Sequence, residues 1–387
     1  MSSVTTPASP DLAAPPRDAT AERISAIDGL RGWAVLLVFL VHFFGSYAEV
    51  ARHFNIDLVD DARGLGSADL LLYWLSYSHH GVQIFFCISG YVIARSFARQ
   101  RPFRGAGPFL VRRLLRIYPA FLVSLAVAVL VRIWYSGAGS VQAGALLANL
   151  LFLNGLFALH VTAYNYVTWS LFFEFIFYVV FAAAWGIAAR SGRRVPATAL
   201  LLWLGFILLL AGLSWHDWIL LVPFFFGALA GTRPAAALER LAEKLAVAPL
   251  VAAYLAITTL ACLFLRVPRM GPGGLDWPAA SPLYAVAFSV VTVLIIVKCA
   301  SPANALNRLF CSRGFQALGR VSYSFFLVHG IVVGLVFRAA GSMLVPSSLA
   351  VAALLGAGAL LASFAAAAVV YAVAERPYYL YVAGRGR

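Results

Sequence analysis

Residues 30–47 read LRGWAVLLVFLVHFFGSY, an apolar run interrupted by two ionisable side chains, Arg31 and His42. Their spacing corresponds in an α-helix to about three turns and ~16 Å of rise, so both fall on one face at different depths. A run of this length enters a bilayer, and it aligns a guanidinium near one surface with an imidazole deep in the other leaflet. Ionisable groups at such depth are costly and usually functional. A snorkelling arginine beside a hydrogen-bonded interior histidine is the alternative reading.

The rest of the chain has the same character. It is 62% hydrophobic and 11% charged, whereas soluble domains carry about a quarter charged residues. The implied class is an all-α, polytopic helical membrane bundle. Apolar segments recur at residues 29–48, 80–97, 117–135, 167–189, 197–213, 217–231, 246–265, 282–298, 321–338 and 349–373. That gives about 10 transmembrane helices, of which the sixth is short for a span of ~20 residues. The net charge of +14 is distributed between these segments and not gathered into a soluble basic domain, so nucleic acid is not the expected partner.

The same distribution gives an orientation. With both termini cytoplasmic, only Arg52, Arg63, Arg132, Arg266, Arg269 and Arg338 of the 29 basic residues fall on or near the far side, as the positive-inside rule requires. Residues 143–158 are apolar as well, but a full span there would invert everything downstream. They are read as a re-entrant or outer-leaflet helix, tolerable where protein buries it. Residues 1–22 form a polar, Pro-, Ala- and Ser-rich tail, read as disordered and cytoplasmic, without the apolar core of a cleavable signal. Residues 23–380 are read as one transmembrane domain and 381–387 as a short cytoplasmic tail. Cys87, Cys262, Cys299 and Cys311 have neither metal nor redox spacing, so no metal and no structural disulfide are expected.

One carboxylate, Glu174, lies well inside a span, ~10 Å from the outer end of its helix if that end is Val167. His42 lies ~20 Å in from Gly29, leaving ~10 Å to the outer surface of a ~30 Å core. Equal depth predicts a shared cavity in the outer half, bordered by Gln83, His79 and His80. A carboxylate beside an imidazole serves a general base or proton relay, or simply ties two helices together. At the cytoplasmic side, Arg112, Arg113 and Arg116 can converge on an anion such as a phosphate, or can act as ordinary positive-inside anchors. His329 lies in the ninth span near Ser322, Tyr323 and Ser324, as a second catalytic or substrate-binding histidine or as a packing hydrogen bond. Gly81, Gly90, Gly314 and Gly319 are positioned to permit close helix approach. Phosphate-cradling glycine loops, Gly-x-Ser-x-Gly elbows and zinc spacings are missing from the sequence, which argues against nucleotide hydrolysis.

Six blocks in order resemble the membrane-bound acyltransferase 3 family, which O-acylates bacterial cell-surface glycans and some secondary metabolites. They are Ile27, Asp28, Gly29, Leu30, Arg31 and Gly32 running to His42; the run from Gly81 through Gln83 to Ser89, Gly90 and Tyr91; Arg112, Arg113 and Arg116 leading into Ile117, Tyr118 and Pro119; Thr168, Trp169, Ser170 and Leu171 with Glu174; Leu318 to Ser324 with His329; and Glu375, Arg376 and Pro377. Gln83 stands where many members carry Asp, which removes an acid or base there. The resemblance implies that His42 is the central catalytic residue, Arg31 its companion and the arginine motif a site for acyl-CoA, with acetyl-CoA the favoured donor and a carbohydrate or lipid-linked sugar the acceptor. It implies a multi-pass protein of the bacterial inner (plasma) membrane. His42 would act as a base or as a transient acyl carrier, with Glu174 orienting it. The other class consistent with an intramembrane ionisable pair is a carrier that performs no chemistry.

Overall fold

A computed structural model of the protein describes residues 19–52, 74–75, 80–99, 105–156, 159–191, 195–262, 269–271, 274–276, 281–302, 304–340 and 349–384. The helices in chain order are α1 (Ala19–Arg52), α2 (His80–Arg99), α3 (Ala106–Ser136), α4 (Ala143–Leu150), α5 (Trp169–Arg190), α6 (Val195–Trp218), α7 (Val222–Gly231), α8 (Ala235–Lys244), α9 (Val247–Leu260), α10 (Ser281–Cys299), α11 (Ala305–Phe310), α12 (Arg313–Arg320), α13 (Ser322–Ala340), α14 (Leu349–Val370) and α15 (Arg376–Gly384). A π-helical turn, Tyr371–Glu375, joins the last two. A two-stranded antiparallel hairpin pairs Arg269–Gly271 with Gly274–Asp276. The architecture is an all-α polytopic bundle.

Each apolar segment of the sequence forms helix, but not every one is long enough to span. Among the described residues, 8 helices are long and apolar enough to cross a membrane, or 9 if one bent pair counts as a span. The sixth segment, Ile219–Gly231, rises only ~20 Å before turning 107° into α8. Pro234 sits at that corner, where a residue without an N–H cannot continue the helical ladder. The seventh, α9, is also short. Residues 143–158 do not span: α4 ends after 8 residues, and Phe152 takes a left-handed φ of 60° that an α-helix cannot accommodate. The proposed tail over 1–22 lies outside the described residues as far as 18, and 19–22 already belong to α1. At the other end, α15 continues to Gly384.

α1 and α2 are mostly buried, whereas less than a third of α3, α6 and α14 is buried. Leu130, Leu208, Leu354 and Leu361 lie on that exposed apolar surface, which lipid would cover. Lipid tails are as apolar as leucine, so burial alone does not hold such helices together, and close packing and polar contacts must. Small residues supply the close packing between α2 and α7. A Cβ added at Gly90 would stand 2.3 Å from the Phe224 carbonyl oxygen, and one at Gly227 would stand 2.1 Å from that of Cys87. Gly81 and Gly319 are equally tight, against Ala34 and Asp28, while nothing approaches Gly314 within 4 Å.

Polar contacts fix the base of the bundle. Gln316 on α12 accepts a hydrogen bond from Ser25 Oγ at 3.0 Å and donates to the Ser25 and Phe310 carbonyls, the latter at 2.7 Å. Glu375, in the π-turn, accepts from the Ser324 amide at 2.9 Å and from its hydroxyl. The amides of a helix's first turn have no partner within the helix, so this carboxylate from the end of α14 caps the helix that carries His329.

Gly227→Ala is expected to destabilise the protein by about 1–3 kcal/mol through overpacking. Gly205→Ala, on α6 with nothing within 4 Å, should be neutral or gain up to about 1 kcal/mol from helix propensity. Thermal unfolding in detergent compares the two directly; equal melting temperatures would show that the α2–α7 contact is not a tight one.

Candidate active site

His42, half-buried on α1, faces His329 on α13, which is fully buried. His42 Nδ1 lies 2.9 Å from His329 Nε2. His329 Nδ1 lies 3.1 Å from the carbonyl oxygen of Phe325, one turn earlier in its own helix. The His329 ring stacks on that of Phe325, with centroids 5.8 Å apart and planes at 9°. Tyr166 also packs against His42, edge-on with centroids 5.0 Å apart. Gly330 makes room for it, since a Cβ there would come within 2.7 Å of the Tyr166 hydroxyl.

Tyr166 is delivered by an irregular segment held by asparagines. Asn149 Nδ2 donates to the Ala145 and Thr162 carbonyls at 2.8 and 2.7 Å, while its Oδ1 accepts from the Tyr164 amide at 3.1 Å. Asn154 Nδ2 donates to Thr168 Oγ1 at 3.0 Å. Asn165, beside Tyr166, donates to the Leu327 carbonyl on α13 at 2.8 Å. Non-helical backbone inside a membrane needs such internal partners for its polar groups.

A cavity of about 490 Å³ opens towards the basic ends of the same helices. Its wall includes Asp28, Arg31, Arg113, Arg116, Glu174 and Arg320. Arg31 is ion-paired with Asp28 at 3.6 Å. The Arg113 guanidinium lies over the rings of Phe109 and Tyr178, 5.4 and 5.5 Å from their centroids, and that of Arg116 lies 5.8 Å from the ring centroid of Tyr379. Four guanidiniums against two carboxylates leave the wall cationic, suited to a multiply charged anion. Apolar side chains line the rest, among them Val82, Phe85 and Phe326. The Phe326 ring also packs against His329, with centroids 6.0 Å apart, so one aromatic side chain touches both the cavity and the buried member of the histidine pair.

Several sequence expectations change here. Glu174 does not meet His42. Its carboxylate accepts from Ser89 Oγ at 3.1 Å and from the Tyr178 hydroxyl, within the cationic cavity. The equal-depth argument took Val167 as the membrane surface, whereas neighbouring Tyr166 is already level with His42. Glu174 is eight residues further along, ~12 Å nearer the basic end. Arg112 is exposed on the outer side of α3 and is not part of the cavity wall, so of the arginine motif only Arg113 and Arg116, at i and i+3, converge. His80 is buried among the rings of Trp74, Tyr254 and Phe288, on a different face of α2 from the cavity-lining Val82, Phe85 and Ser89. Gln83 is buried and outside the cavity wall, and its Oε1 has no partner among the described residues. His79 lies outside the described residues. Ser89 and Arg320 fall within the sequence blocks named above without a role assigned to them, and Tyr166 and Tyr178 have no sequence signal, because an aromatic residue at a helix start or within a span has no distinctive pattern.

The family model described as an acyltransferase domain matches residues 24–370. The membrane-bound transacylase BcsY of Komagataeibacter xylinus is 30% identical over 315 residues, which covers 74% of this chain and 76% of that protein. The acyltransferase MdmB of Streptomyces mycarofaciens is 27% identical over 385 residues, covering 92% of this chain and 91% of its own. No solved structure matches the chain. With the family model extending over nearly the whole bundle and both parts of the site, the chain belongs to the acyltransferase 3 family and is a membrane acyltransferase.

Proposed function

We propose that the protein is an O-acyltransferase of the bacterial inner membrane, with both termini cytoplasmic. It moves an acyl group, acetyl in the favoured reading, from cytoplasmic acyl-CoA to a hydroxyl of a surface glycan or lipid-linked sugar. A small glycosylated metabolite is the alternative acceptor. The observation that carries the reading is the continuity of site and cavity: a cationic cavity of about 490 Å³ has Phe326 in its wall, and that ring packs against His329, the partner of His42. Its basic mouth suits the phosphates of a nucleotide-linked donor, and Arg31 to His42 rises ~16 Å, comparable to an extended pantetheine arm.

In this reading Arg113, Arg116, Arg31 and Arg320 hold the donor's negative charge, and Glu174 balances and spaces the guanidiniums instead of serving the imidazole. The thioester carbonyl reaches the histidines past Phe85 and Phe326. His42 Nε2, the ring nitrogen not bonded to His329, takes the proton of the acceptor hydroxyl. The oxygen then attacks the thioester carbon, the C–O bond forms and the C–S bond breaks. The leaving thiolate recovers the proton from the imidazolium, giving an ester and free CoA thiol. Both relatives carry transfer of acyl groups in their names, which favours this reading over a carrier.

Thiol release from acetyl-CoA, by purified protein with a mixture of cell-surface glycans as acceptor, is the direct test. Wild type should release thiol only when acceptor is present. His42→Ala should lose at least about 100-fold in turnover while still binding donor. Wild-type turnover in a folded His42→Ala protein would sink the mechanism, and solute flux without thiol release would favour a carrier.

The cavity wall makes a second, separable prediction. Arg113→Gln and Arg116→Gln should each weaken acetyl-CoA binding by about 10- to 100-fold, the value of a charge-assisted hydrogen bond. Arg112→Gln, on the exposed side of the helix, should change it by less than about threefold, the scale of a solvated surface charge. Titration calorimetry in detergent reads all three, and an Arg112 effect as large as the others would place the donor elsewhere.

A further inference from the structure

We propose that His329 is a positioning residue that fixes the tautomer of His42, leaving Nε2 as the basic nitrogen. The inference deepens the acyl-transfer reading and rests on it for its effect on rate. The argument starts from the Phe325 carbonyl, which can only accept. His329 Nδ1 lies 3.1 Å from it and therefore carries a hydrogen and donates. His329 is fully buried beside Phe325 and Phe326, and its polar contacts among the described residues are the backbone of Phe325 and Phe326 and another imidazole. An imidazolium without a counter-ion is costly at such depth. The neutral ring has one N–H, so its Nε2 presents a lone pair.

The atom facing that lone pair at 2.9 Å is His42 Nδ1, which is then the donor to His329, beside the Val38 backbone one turn earlier on α1 that also hydrogen-bonds this imidazole. His42 thus holds its hydrogen on Nδ1 and its free lone pair on Nε2, the reverse of the tautomer an isolated histidine side chain favours in water. The second bond a histidine makes decides which nitrogen is available for chemistry. Here a buried histidine anchored to a backbone carbonyl does what a carboxylate does in many other sites. When His42 Nε2 takes the acceptor's proton, the imidazolium still donates Nδ1–H to His329, and no second proton moves. The edge-on Tyr166 ring, 5.0 Å away, also packs against the imidazole.

Ring-nitrogen NMR of protein carrying ¹⁵N-histidine tests this without substrate, with His42 assigned from the signals lost in His42→Gln. Wild type should show His42 protonated at Nδ1. His329→Gln, whose amide oxygen reaches the position of Nε2, should keep that tautomer, whereas His329→Leu should lose it. In the thiol-release assay His329→Leu should lower kcat by about 100-fold with the donor KM little changed, and His329→Gln should recover most of the loss. A His42 ring protonated at Nε2 in wild type overturns the proposal, as does wild-type kcat in His329→Leu. If the leucine variant does not fold, the wild-type and glutamine spectra decide. If acetyl-CoA is not the donor, the tautomer is still read, so the two failures are separable.

Discussion

Two helices that are far apart in sequence, α1 and α13, lie close enough for an imidazole on each to share one hydrogen bond, and the site depends on that contact. Its length of 2.9 Å leaves little freedom for either helix to slide or rotate. A bilayer gives no hydrophobic drive to press helices together, so the register must come from specific contacts. At the base of α1, Gln316 joins Ser25 to the Phe310 carbonyl. At the base of α13, Glu375 caps the first turn through Ser324. Asn165 reaches the Leu327 carbonyl and brings Tyr166 to the same level. The pair is therefore supported from three directions by polar groups that take no part in the chemistry.

That arrangement separates charge from reactivity along one axis. The cavity near the basic ends of the helices gathers Arg31, Arg113, Arg116 and Arg320 around Asp28 and Glu174. The histidine pair lies beyond it in an aromatic setting of Phe325, Phe326 and Tyr166. A cationic wall is a poor setting for a proton acceptor, since neighbouring positive charge opposes imidazolium formation. An apolar pocket is an equally poor setting for phosphates. Placing the two settings at different depths resolves the conflict, and the long, thin donor proposed above would span both.

Much of this is visible in the chain itself. The Arg31 and His42 register follows from helical periodicity, and the approach glycines at 81, 90 and 319 are visible as small residues within apolar runs, whereas Gly314 packs against nothing within 4 Å and Arg112 does not join Arg113 and Arg116. Partnerships between helices are not visible in this way. Glu174 was matched to His42 by counting residues from a supposed membrane surface, and the count failed because the segment before α5 dips into the bundle. Gln83 and His80 sit in the correct helix but on other faces, and one sequence does not define the rotation of a helix about its axis. Ile219–Gly231 is as apolar as a span yet too short, because hydropathy measures composition and is blind to the bend before Pro234. His329 was noted, but nothing local to α13 names the residue it faces.

Phe326 has one more consequence. The cavity is wide enough to hold many water molecules, and a thioester within reach of a histidine base is open to hydrolysis. The cavity wall carries the Phe326 ring and neither imidazole, and that ring packs against His329. Activated esters survive in enzymes when solvent is kept from the catalytic base until the proper acceptor arrives. In the proposed reaction this ring would bear on fidelity as well as on access, by favouring an acceptor hydroxyl that reaches the histidines over water that enters with the donor.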